Sequence, residues 1–336
     1  MTNGSQRLKI VLAMLTLYVV WGTTYLGIKF GLSAGLPPTL FAGLRQFPAA
    51  ALILAIAAWR GSSVRISPAD LRVSAIVGLC LLVGGQYFAF VAEQNIASGL
   101  AALIVALIPL WVALAESVLP DMHRPGALGW VGLVVGFSGL GILLWPQLAN
   151  MSTPSGAKEL LGTVVMIVGG WFWTTGTIYA KRHPMSADGL VSTAWEMLVA
   201  GGVLVVLGTA LGEWGSFHVT PATMGALVYM SVVGSALALT AFTYALQHLS
   251  ASKVMTYAFV NPVIAVFAGT LAGSLGYVPP EPITLPTVIG MVIIVVGVAI
   301  TITAPTRPSQ RALDAPETAP TLKVAEPLVE SMPSEV

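Results

Sequence analysis

Ten stretches of about twenty mostly apolar residues run through this chain, and a bilayer-spanning helix needs about that length. They fall near 8–28, 39–59, 71–91, 98–118, 128–146, 160–180, 189–211, 222–246, 254–276 and 283–303. A water-soluble fold cannot hide that much apolar sequence. Only 9% of the 336 residues are charged, against roughly 25% in an average soluble protein. Large cores split into domains that each need a polar skin, and this chain has too few charges to make one. The remaining solvent is lipid. The expected fold class is therefore an all-α integral membrane protein with ten transmembrane helices. Short links carrying Pro, Gly, Ser or charge separate the spans, such as Leu36-Pro37-Pro38 and Gly61-Ser62-Ser63.

Net charge is +1, so no strong field recruits nucleic acid. The single cysteine, Cys80, excludes an intrachain disulfide or a Cys-rich metal site. No Walker motif is present, and no cofactor is expected. Arg7 and Lys9 precede the first apolar run as a leader's basic region does. Trp21-Gly22-Thr23-Thr24-Tyr25 then follows with no small-x-small cleavage site, so the run reads as a retained first span. Residues 305–336 interleave Pro and Glu and read as a disordered cytoplasmic tail.

Ten spans place both termini on one side. Of the fifteen Lys and Arg, Lys29 and Lys158 fall opposite, Arg45 lies inside a span, and the rest share the side of the termini. The positive-inside bias makes that side cytoplasmic. The expected location is the inner (cytoplasmic) membrane.

The chain also matches itself. Trp21, Thr23 and Lys29 align with Trp173, Thr175 and Lys181. With a one-residue slip, Pro109 aligns with Pro262. Two five-span copies follow, residues 1–147 and 160–304, joined by an outer linker at 148–159. Five is odd, so the copies enter the membrane from opposite sides. Inverted repeats are typical of secondary transporters.

Trp21-Gly22-Thr23-Thr24-Tyr25-Leu26-Gly27-Ile28-Lys29 resembles the first-helix signature of EamA-type proteins in the drug/metabolite transporter superfamily. Phe41-Ala42-Gly43-Leu44-Arg45, Ala106-Leu107-Ile108-Pro109 with Glu116, and Tyr257-Ala258-Phe259-Val260-Asn261-Pro262 are similar to that family's patterns. The resemblance covers about 8–303. It implies two EamA repeats and the export or exchange of small metabolites such as amino acids.

Charges within spans are costly and usually face the bundle interior. Arg45 and Glu196 occupy near-equivalent places in the two repeats, and are read as opposite gates or as receptors for charged substrate ends. Glu196 is the candidate proton carrier, which makes protons a candidate coupling partner. Lys253 either meets Glu196 or anchors to headgroups. Pro109 and Pro262 each remove a backbone hydrogen bond and are expected to kink helices that line a cavity, with Asn261 as a polar handle. Trp21, Tyr87, Phe90, Trp111, Trp173, Tyr244 and Tyr257 are candidate stacking surfaces, and Gln86 offers an amide to a zwitterion. Gly132 and Gly136 form a GxxxG pair that reads as close helix packing.

The leading expectation is a secondary transporter of small molecules working by alternating access. A nucleotide-sugar or phosphate-ester antiporter needs several converging cations, and only Arg45 and Lys253 qualify. An intramembrane enzyme needs a catalytic constellation that the spans lack. A non-transporting sensor or anchor needs neither buried charges nor an inverted repeat.

Overall fold

The computed structural model describes residues 4–119, 124–249, 254, 256–280 and 283–307. Lys253, the side chain of Glu116 and the tail beyond residue 307 lie outside the described residues. Ten long helices fill the sequence spans. They are α1 (Gly4–Ser33), α2 (Pro38–Trp59), α3 (Pro68–Ala92), α4 (Ser98–Val105 continued by Ile108–Val118), α5 (Ala127–Ala149), α6 (Pro154–Arg182), α7 (Gly189–Ala210), α8 (Pro221–His248), α9 (Tyr257–Ser274) and α10 (Leu285–Thr303). Among the described residues, nine are long and apolar enough to cross a bilayer; α9 has a shorter apolar stretch, Val260–Ser274.

The sequence writes the helix starts plainly. Ser67, Thr153, Thr220 and Thr284 each accept a backbone N–H of the first turn, with proline at the first or second helical position. A capping hydroxyl satisfies an otherwise orphaned donor, and proline there gives up a hydrogen bond the helix would not have made. The ends of α2 and α7, equivalent helices of the two repeats, both pass into a left-handed glycine. These are Gly61 at φ 81° and Gly212 at φ 72°, a conformation that side chains with a Cβ resist.

Three helices carry a wide π turn in mid-span: Leu17–Trp21 in α1, Leu79–Tyr87 in α3 and Met230–Leu237 in α8. Helices α3 and α8 are repeat equivalents, so that feature is shared by both copies. The helix of α6 that corresponds to α1 is regular throughout.

Large apolar side chains such as Leu12, Trp59, Val134, Trp145, Val206, Phe267 and Val292 stay exposed around the bundle. In water this surface would aggregate; against acyl chains it is the expected exterior. Helices α5 and α10 pack together along a glycine seam. Backbone or side-chain atoms of Thr301, Leu110 and Ile294 fill the space where a Cβ would stand at Gly132, Gly136 and Gly139, and Gly297 meets Gly136 directly. The GxxxG pair is thus a packing device. Beside it, the two-residue strands β1 (Arg124–Pro125) and β2 (Thr306–Arg307) pair antiparallel and tie the start of α5 to the end of α10.

Pro109 behaves differently from its sequence reading. Helix α4 breaks at Ala106–Leu107, and Pro109 sits in the first turn of the segment that restarts at Ile108. There its missing N–H costs nothing, because first-turn donors have no intrahelical partner. It opens a helix rather than bending one. Pro262 does lie inside α9, on the side of Asn261.

Candidate functional site

A cavity with about 610 Å³ of empty space, part of it open to solvent, lies where α1, α2, α3, α4, α6, α8 and α9 converge. Helical phase explains which residues reach it. From α1 come Trp21, Thr24, Tyr25 and Ile28, spaced i, i+3, i+4, i+7 along one face. From α6 come Met166, Gly169, Gly170 and Trp173 with the same spacing. The α3 face gives Gly85, Gln86, Ala89 and Phe90. The π turns of α1, α3 and α8 each contribute to the wall through Trp21, Gln86 and Gly234, and such turns recur at functional sites.

Arg45 is the one charged residue on this wall among the described residues. It stands at the junction of the two segments of α2, Pro38–Leu44 and Gln46–Trp59, and is 1% exposed. Its Nη2 donates to Gln86 Oε1, and its guanidinium lies over the Phe90 ring, 4.8 Å from the centroid. A cation over an aromatic face is stabilised by the ring quadrupole. Its Nε–H has no partner among the described residues.

Four aromatic residues close one side of the cavity. Trp21 meets Trp173 edge-on at 5.4 Å, Tyr257 edge-on at 4.8 Å and Phe242 at 5.1 Å. Trp21 and Trp173 are equivalent residues of the two repeats, so the cluster bridges them. Glycines keep the chamber open. A Cβ on Gly85 would stand 2.9 Å from the Trp173 ring, and one on Gly234 would stand 3.1 Å from Thr24.

Six of the residues singled out from the sequence therefore share this chamber: Trp21, Arg45, Gln86, Phe90, Trp173 and Tyr257. Others lie elsewhere. Tyr87 is one residue past Gln86, which turns it about 100° around the helix, and its hydroxyl reaches Thr39 Oγ1 at 3.1 Å. Trp111 packs among Phe137 and Trp171, at 4.5 and 4.8 Å. Tyr244 packs on the ring of His248 at 4.2 Å. Asn261 is buried; in the orientation its neighbours require, its amide donates to the main-chain oxygens of Tyr257 (3.1 Å) and Tyr18 (3.0 Å), joining α9 to α1. Glu196 is buried on α7 with its main chain against Gly78 of α3, away from the cavity wall. Lys29 does not serve its own helix end. Its Nζ donates to the carbonyls of Glu93 (2.8 Å) and Ile96 (2.9 Å), capping α3.

Thr24, Tyr25, Ile28, Gly85, Ala89 and Met166 escaped the sequence reading. Counting one and two turns from Trp21 would have found the first three, because a helical face repeats at that spacing.

Polar clasps join the repeats at both ends of the bundle. At the end carrying Gly4, Asp70 accepts from the Ser186 hydroxyl (2.6 Å) and backbone N–H (3.2 Å), and Ser62 donates to Asp188 (3.0 Å). At the opposite end, Glu213 accepts from the Thr39 hydroxyl (2.6 Å) and the Leu40 N–H (2.8 Å). Each clasp joins the link between the second and third helices of one repeat to the link between the first and second helices of the other.

A bundle of two five-helix halves enclosing one mid-span chamber is the architecture of a membrane transporter. The EamA-like transporter family model matches twice, at residues 8–145 and 160–303. The uncharacterized inner membrane transporter YedA of Escherichia coli (strain K12) is 34% identical over 265 residues, covering 78% of this chain and 82% of its own. The uncharacterized transporter YoaV of Bacillus subtilis (strain 168) is 22% identical over 86% of this chain and 95% of its own. A crystal structure with 20% sequence identity superposes with a TM-score of 0.60 over 87% of this chain and 95% of that one, a likeness of fold. The chain belongs to the EamA-like transporter family.

Proposed function

We propose that this protein moves a small organic molecule, an amino acid or a related metabolite, across the cytoplasmic membrane by alternating access. Both termini face the cytoplasm. The observation that carries this reading is the chamber around Arg45. A buried cation with an open N–H, held among aromatic walls at mid-span, suits a carrier that grips a polar group while burying an apolar one. One cation on the wall is too little for a nucleotide-sugar or phosphate ester.

The two clasps supply the alternation. Each is a few hydrogen bonds to a carboxylate, individually worth about 1.5–3 kcal/mol, so either can break while the other holds. Opening at the Gly4 end exposes the chamber to the cytoplasm, and opening at the Glu213 end exposes it to the far side. Proton coupling through Glu196 is the accompanying proposal for energy supply.

Reconstituted vesicles loaded with a cytosolic metabolite extract, followed by mass spectrometry of the external medium, test the reading. Release of particular compounds by wild-type protein is expected, and Ala89→Phe, which fills the chamber, is expected to stop it. A folded Ala89→Phe protein that releases the same compounds at the wild-type rate defeats the assignment of the chamber.

A further inference from the structure

Three hydrogen-bond donors on the chamber wall have no hydrogen bond among the described residues: the Arg45 Nε–H and the indole N–H groups of Trp21 and Trp173. The Trp173 N–H lies by the Tyr257 hydroxyl, which leaves Arg45 and Trp21. Both side chains are buried, at 1% and 6% exposure. An unsatisfied buried donor costs about 1–3 kcal/mol, and more when charged, so each calls for an acceptor brought from outside.

The wall's own acceptors are largely spent. Gln86 Oε1 already accepts from Arg45, and the Thr24 hydroxyl donates back to the Trp21 carbonyl at 2.8 Å. Among the described residues, no carboxylate lines the chamber. Glu93 lies one turn beyond Phe90 and carries the Lys29 ammonium on its main-chain oxygen. Nor are open ring faces plentiful. The Phe90 face holds the Arg45 guanidinium, and Trp21 is packed against three other rings.

We infer that the chamber prefers a molecule with one carboxylate and an apolar, ring-sized body to the zwitterion of the same skeleton, and rejects the amine. The carboxylate accepts from Arg45 Nε and the Trp21 indole, and the body lies against Trp173, Phe90 and Tyr257. An ammonium on that body meets a wall that carries no carboxylate of its own among the described residues, in a low-dielectric enclosure where an isolated charge is expensive. This inference rests on the chamber being the substrate site, and it narrows the substrate class by charge.

Calorimetric titration of the detergent-purified full-length protein tests it with three probes: 3-phenylpropanoate, phenylalanine and 2-phenylethylamine. They share a ring and differ only in their charged ends. We expect 3-phenylpropanoate to bind at least about tenfold more tightly than phenylalanine, a difference of about 1.4 kcal/mol, and 2-phenylethylamine to give no measurable heat. Arg45→Gln should weaken 3-phenylpropanoate binding by about 100-fold. Trp21→Phe keeps a ring, loses only the N–H, and should weaken 3-phenylpropanoate about tenfold without creating affinity for the amine.

Equal or tighter binding of phenylalanine or the amine overturns the inference. If Ala89→Phe abolishes that binding, the chamber remains the site and only the charge class falls. If Ala89→Phe leaves every probe's binding unchanged, the chamber assignment falls too and takes the inference with it. Silence from all three probes also overturns the inference.

Discussion

Arg45 and Glu196 stand one residue out of register between the two repeats, and the molecule puts them to different uses. The shift that aligns Trp21 with Trp173 aligns Arg45 with Met197, not with Glu196. One residue is about 100° of helix. Arg45 therefore faces the chamber, bonded to Gln86 and stacked on Phe90, while Glu196 is buried beside Gly78 without a hydrogen-bond partner among the described residues. An inverted repeat supplies symmetric scaffolding: shared π turns, glycine ends and end clasps. The binding chemistry is not symmetric, because a single-residue slip re-aims a side chain while the helix stays in place.

That contrast can be broken most forcefully at Arg45. Arg45→Gln removes the only charge on the described wall, and equilibrium binding of a carboxylate probe should weaken by about 100-fold, in the range expected when a buried charged contact is truncated. If titration shows less than a threefold change, the asymmetry between the repeats is not about substrate. Next in size is Trp21→Phe against Trp173→Phe. Trp21→Phe should cost about tenfold in affinity for a carboxylate, the scale of one hydrogen bond to a charged group. The Trp173 change should cost less, because Trp173 is assigned to the body of the ligand rather than its carboxylate. Equal losses would make the two tryptophans interchangeable and restore the symmetry.

The clasps sharpen the contrast by being alike. Asp70→Ala and Glu213→Ala should bias the protein in opposite directions, read by thiol labelling of single cysteines placed on the wall from either side of a vesicle after Cys80→Ser. Shifts of a few-fold in labelling rate are expected, and the same direction for both variants would exclude the clasps as gates. The smallest equilibrium effect belongs to Glu196→Gln. Probe affinity should stay within about twofold, while the dependence of transport on an imposed pH gradient should vanish. A retained dependence would remove Glu196 from proton traffic.

The spans were legible because hydropathy is one-dimensional: twenty apolar residues declare a helix without any knowledge of its neighbours. The caps that set the helix starts, Ser67-Pro68, Thr220-Pro221 and Thr284 with Pro286, lie outside that hydropathy reading, which places the third span at 71 and the sixth at 160 rather than at Pro68 and Pro154. Azimuth was not legible either. Gln86 and Tyr87 are adjacent in sequence, yet one meets Arg45 and the other meets Thr39. The π turns add to this, because a wide turn changes the phase of every residue beyond it and leaves no mark in composition. The clasps were hidden for another reason. Asp70 and Ser186 belong to separate repeats, and neither sits in a motif that names its partner.

The π turn of α3 carries a genetic corollary. An α-helix closes its ring at i+4 and a π turn at i+5, so the wide turn behaves as one inserted residue absorbed by the helix. Deleting a single codon within Leu79–Gly84, rather than substituting any side chain, would let the turn relax to a regular helix and re-aim Gln86 with every wall residue still encoded. The functional chamber of this protein is then a matter of reading frame along a helix as much as of side-chain identity, and deletion scanning would find what alanine scanning passes over.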